Sequence, residues 1–201
     1  MLLEELFETP KSILPTDFGL NDEKENRKQT MRFLRDADRE LVKSFAHDIN
    51  LYEVGRQFCL IDETNNHLIY YMRWEEIFHK FVGHRAACQI AVWRDQNKPG
   101  YEETAREIFF DHLLPKYGVV ITDALQTPDG RTFWIRRVGD AFRRNLNVYY
   151  LNLMQSTDGV SRELIKIESV ADFERLNKEK DFWGETEKFR ARKIIISSVE
   201  L

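Results

Sequence analysis

Val119-Val120-Ile121-Thr122 reads as a short apolar strand, and Asp123-Ala124-Leu125-Gln126-Thr127-Pro128-Asp129-Gly130 reads as the turn that opens a helix after it. Thr127 is the expected N-cap. Pro128 takes the first helical position, where a missing N–H costs nothing. Upstream, Tyr101, Ala105, Ile108, Phe109, His112 and Leu113 stripe one face of a helix, and Gly118 stands where a C-terminal cap belongs. Before that helix, Arg85 to Arg94 is rich in Ala, Ile and Val and predicts a strand buried in a sheet. Strand, helix, strand, helix is thus the order that decides the fold class.

Further upstream, Gln57 to Asp62 and His67 to Arg73 are β-rich runs separated by Glu63-Thr64-Asn65-Asn66, a hairpin signature. Trp74 to Val82 fits either a bent strand or a helical turn. Glu23 to Leu34 predicts a helix. A second helix is expected over Ala37 to Ile49, because Leu41, Phe45 and Ile49 recur four apart. Pro10, Pro15 and Gly19 make the first 22 residues an irregular lead-in. Downstream, Asn147 to Leu153, Glu163 to Ile167 and Lys193 to Ser198 predict strands, and Val170 to Glu179 a helix. The expected architecture is α/β (α+β): a mixed, mostly antiparallel central sheet with helices on both faces and a small C-terminal extension.

Composition bounds the function. The 201 residues suit one domain, with 42% hydrophobic and 32% charged residues. A net charge of -4 argues against bulk electrostatic retention of nucleic acid, though not against a local basic patch. Cys59 and Cys88 lie in apolar runs without a CxxC pair, so buried free thiols are expected rather than a disulfide or a metal site. The five histidines show no metal-ligand spacing, and no metal is expected. Acids near the N-terminus and the lack of a long apolar run point away from a signal peptide and a membrane span, hence to the cytoplasm.

The element order resembles the GNAT (N-acetyltransferase) fold over residues 23–153, with a C-terminal extension over 154–201 packed on the same domain. Phe58-Cys59-Leu60-Ile61-Asp62 and Leu68-Ile69-Tyr70-Tyr71 are similar to the family's second and third strands. Gln89-Ile90-Ala91-Val92-Trp93-Arg94 is similar to its fourth, which splays from the fifth to admit the pantetheine arm. Ile121-Thr122-Asp123 running into Gln126-Thr127-Pro128-Asp129-Gly130, with Phe133-Trp134 soon after, resembles acetyltransferase-like proteins of bacteriophages and prophages. The resemblance implies acetyl-CoA as cofactor and an amine of a protein or small molecule as acceptor. It implies a host cytoplasm or a virion as location. Backbone groups around Ala91, Val92 and Trp93 would hold the pantetheine, and Arg94, Lys98 and Gly100 the pyrophosphate.

Two departures weigh against that chemistry. The family closes consecutive backbone N–H groups of a glycine-rich loop on the pyrophosphate, at a helix N-terminus. Here the segment is Asp95-Gln96-Asn97-Lys98-Pro99-Gly100-Tyr101-Glu102-Glu103, with one glycine, a proline lacking the donor, and two glutamates that repel a diphosphate. Trp134 stands near where the family often has a tyrosine acid, and an indole N–H does not ionise usefully. The alternative expectation is a non-catalytic scaffold, either a virion component or a binder of a host factor.

Glu75 and Glu76 follow the third family-like strand and are candidate general bases; alternatively one faces solvent and the other pairs with Arg73 or Lys80. His79 and His84, flanking Gly83, are a candidate proton relay. Asp123 is a candidate ligand contact at a strand end, or a turn residue. Arg136, Arg137, Arg143 and Arg144 recur seven apart, so the helix they share predicts a basic face for an acidic protein or nucleic acid, or a surface paired with neighbouring acids.

Overall fold

The computed structural model describes residues 19–45, 48–79, 82–101, 103–122, 128–156, 159–183 and 191–201. The chain is mixed α/β with a mostly antiparallel multi-strand sheet. Its described residues divide into two compact units, the first comprising 19–75 and 89–108 and the second 76–88 and 109–201.

The first unit opens with helix α1 (Glu23–Arg35), where the Asp22 carboxylate accepts the Glu25 N–H at 2.9 Å. Strands β1 (Arg39–Ser44), β2 (Ile49–Val54) and β3 (Gln57–Asp62) follow, then β4 (His67–His79) and β5 (His84–Arg94), which extend into the second unit. The strand order is β1-β2-β3-β4-β5, and β1 to β4 pair antiparallel in sequence. Asp62 turns the β3–β4 hairpin by accepting the Asn65 N–H at 3.0 Å. The core gathers Leu20 and Phe33 over Tyr52, Ile61, Tyr71 and Trp93.

The expected helix over Ala37 to Ile49 does not form. Arg39–Ser44 is an edge strand paired with β2, and the four-residue spacing of Leu41, Phe45 and Ile49 is coincidental: Leu41 is 57% exposed. Long-range pairing with the buried Leu51 and Tyr52 outweighs local periodicity here. The strand β2 had a readable signal, since Gly55 (φ 59°) and Arg56 form a short connection between two β-rich runs. The Trp74 to Val82 segment is strand as far as His79.

A helical stretch runs from α2 (Thr104–Glu107) through a π segment (Ile108–Leu113) to α3 (Leu114–Tyr117). Pro115 has no N–H to close an α-type bond four residues back, and the helix widens just before it. Phe110, outside the expected stripe, is buried as well as Ile108, Phe109 and Leu113. Gly118 ends the helix at φ 72°, its N–H donating to the Leu114 carbonyl at 2.7 Å.

In the second unit, β6 (Val119–Ile121) lies parallel to β5 through Ala87↔Val120 and Cys88↔Ile121. Helix α4 (Pro128–Arg143) leads to β7 (Asn147–Ser156), β8 (Gly159–Ile167), α5 (Val170–Lys180) and β9 (Arg192–Ser197). The order here is β5-β6-β9-β7-β8, so the last strand of the chain is an inner one, antiparallel to both its neighbours. Ile194, Ile195 and Ile196 account for that position, being buried on both faces. Both cysteines are buried free thiols, and burial pushes the Cys59 thiol well up. Among the described residues no helix is long and apolar enough to cross a membrane.

Candidate functional site

The segment after β5 is built around Asp95. Its carboxylate accepts the Asn97 N–H at 2.8 Å and lies 2.7 Å from His67 Nε2, while its carbonyl accepts the Lys98 N–H at 3.4 Å. The Asp95 N–H itself donates to the Ile69 carbonyl at 2.9 Å. Burial would raise the Asp95 carboxyl, but the Asn97 N–H and the His67 ring together outweigh it and hold it below the ordinary aspartate range. The side chains of the segment are engaged too. Lys98 Nζ is 3.6 Å from Asp62, and an Arg94 N–H donates to Gln96 Oε1 at 3.2 Å. Gly100 turns the chain at φ 94°. Just beyond, Glu103 pairs with Arg106 at 2.7 Å.

Ala91 and Trp93 are core residues of the first unit, with the Trp93 indole donating to Asn21 Oδ1 at 2.9 Å, and Val92 is half-buried. Glu75 and Glu76 fall on β4, where successive side chains point to opposite faces. They belong to different units. In the first unit Glu75 lies 3.3 Å from Arg73; in the second, Glu76 lies 3.0 Å from Arg85. His79 is buried and His84 exposed, on either side of a Gly83 turn at φ 76°. Asp123, Gln126 and Thr127 lie outside the described residues.

Trp134 is 1% exposed. It meets Phe109 edge-on at 5.5 Å and Phe133 at 6.2 Å, a packing role in the second unit. Arg137 and Arg143 of α4, and Arg144 just after it, each meet an acid. Arg137 is buried, lies 3.4 Å from Asp140 and sits over the Phe133 ring at 5.2 Å. Arg143 reaches the other Asp140 oxygen at 2.5 Å. Arg144 pairs with Asp111 at 2.9 Å and covers the Phe110 ring at 4.5 Å. Arg136 is exposed. The seven-residue recurrence therefore does not produce one free basic face.

Sequence reasoning passed over three contacts that organise these regions. Asn26 is 1% exposed and clips α1 to β4, donating to the Leu68 carbonyl at 3.0 Å and accepting the Leu68 N–H at 2.8 Å. The signal is an amide at a position on the buried face of an otherwise charged helix. The His67–Asp95 contact joins residues far apart in sequence and leaves no local mark. Asp140, three residues from both Arg137 and Arg143, was readable as their partner. Among the described residues no three metal-ligating side chains gather.

Comparison with family models, with curated proteins and with solved structures finds no match for this chain.

Proposed function

We propose that the chain is a GNAT-like protein of the bacteriophage type that works as a binding scaffold rather than an acyl-transfer catalyst. The observation that carries this reading is the turn at Asp95. A pyrophosphate cradle needs a row of backbone N–H groups aimed at the ligand. In the corresponding segment the N–H groups of Asp95, Asn97 and Lys98 already donate within the protein, and Pro99 has none to offer. Lys98 is drawn to Asp62. These residues do not fit acetyl-CoA in the family's usual mode.

The candidate bases support the same reading, each being held by an arginine of its own unit. So does Trp134, which fills a core where the family often has an acid. The test is thermal unfolding of the full chain with and without excess acetyl-CoA. A ligand that binds only the native state at about 100 times its dissociation constant adds roughly 2.7 kcal/mol. The scaffold reading expects no shift at millimolar acetyl-CoA, and a saturable upward shift would restore the acetyltransferase reading.

A further inference from the structure

Helix α1 changes character after its first turn. Asp22, Glu23 and Glu25 stand at its start, and Arg27, Lys28, Arg32 and Arg35 follow with no further acid until Asp36. Lys28, Arg32 and Arg35 are spaced four and three apart, which puts them on one face. They border a groove of about 560 Å³ together with Gln29, Met31 and Asp36. Met31 also borders a second groove of about 610 Å³, with Arg27, His67 and Lys98 on its margin. Both grooves belong to the first unit.

Two of the nearby acids are paired: Glu25 accepts from Lys28 at 3.2 Å and from Gln29 at 2.8 Å, and Glu23 pairs with Arg27 at 3.8 Å. Asp36, at the end of the groove, accepts the Asp38 N–H at 3.0 Å and keeps its charge. Arg32 and Arg35 are exposed and form no ion pair among the described residues. The helix dipole favours cations in the last turn, but it does not gather them around a groove with a thioether at its edge.

We infer that this face of α1 binds an acidic peptide segment of a partner protein, its carboxylates on Arg32 and Arg35 and an apolar side chain against Met31. Guanidinium groups suit carboxylates because they engage them through two parallel N–H donors. Nucleic acid is the poorer fit. Met31 borders both grooves, and a chain of net charge -4 lacks the broad field that phosphate backbones require. The inference deepens the binding-scaffold reading and rests on it, but the two fail separately. Acetyl-CoA stabilisation would overturn that reading without touching peptide affinity, and absence of peptide binding would overturn this one alone.

The experiment is fluorescence anisotropy on the full chain with a short labelled peptide of glutamates and aspartates around a central leucine. Expected is saturable binding that weakens as salt rises and falls at least tenfold in the Arg32→Glu/Arg35→Glu double variant. Arg136→Glu, on a different helix, is expected to leave it unchanged. Arg32→Gln/Arg35→Gln serves if the charge reversal disturbs folding, and is expected to weaken binding in the same direction. No saturable binding, equal binding by the double variants, or equal binding of a glutamine/asparagine counterpart would overturn the inference. So would a single-stranded oligonucleotide that displaces the peptide at lower concentration.

Discussion

Helices α1 and α4 both carry runs of cations, yet they use them in opposite ways. On α4 and the residue after it, Asp140 faces Arg137 and Arg143, Asp111 faces Arg144, and aromatic rings lie under two of the guanidinium groups. There the charge is part of how the helix is held. On α1 the anchors are Phe33 and the uncharged Asn26, and Arg32 and Arg35 stand at the exposed edge of a groove. The count of arginines does not separate a structural charge from a presented one; the position of the nearest acid does.

That contrast can be broken by substitution. The largest effect is expected at Trp134→Ala, which empties a fully buried indole site under α4 and should cost about 3–5 kcal/mol in urea unfolding. A loss below about 1 kcal/mol would mean that α4 is not anchored by packing. Asp140→Ala comes next, because it strips a buried arginine of an acidic partner. A loss of about 3 kcal/mol is expected, seen as a lower denaturation midpoint with an unchanged slope.

Asn26→Ala sharpens the other side of the comparison. It leaves the Leu68 N–H and carbonyl without their α1 partner and should cost about 1–3 kcal/mol. Amide exchange at Leu68 should accelerate more than exchange in the second unit. The smallest effect belongs to Arg32→Ala combined with Arg35→Ala, expected to change stability by no more than about 0.5 kcal/mol. A loss comparable to that of Asp140→Ala would show that α1 and α4 do not differ in kind.

The elements with strong local periodicity were legible from the sequence. Glu23 to Leu34, the hairpin from Gln57 to Arg73, the strand at Val119 and the cap at Gly118 all appear where their residues place them. What failed was decided at long range. The segment Arg39–Ser44 is a strand because β2 is there to pair with it, and no helical count of Leu41, Phe45 and Ile49 can sense that partner. The π turn before Pro115 likewise breaks the helical period that the stripe from Tyr101 to Leu113 assumes.

The candidate site divides along the same line. The single glycine and Pro99 of the segment after β5 mark an unusual loop in the sequence itself. That Asp95 gathers the N–H groups around it is an outcome of folding, since one of its partners, His67, comes from the start of β4. The opposed directions of Glu75 and Glu76 follow from the strand that carries them, which the sequence left undecided beyond Arg73.

The most direct test of the scaffold account is residue-resolved amide hydrogen exchange at Asp95, Asn97 and Lys98, measured by NMR with and without acetyl-CoA. The account predicts amides already protected in the free protein and unchanged by the cofactor, because their hydrogens are held by Ile69 and Asp95. Rapidly exchanging amides that become protected when acetyl-CoA is added would contradict it.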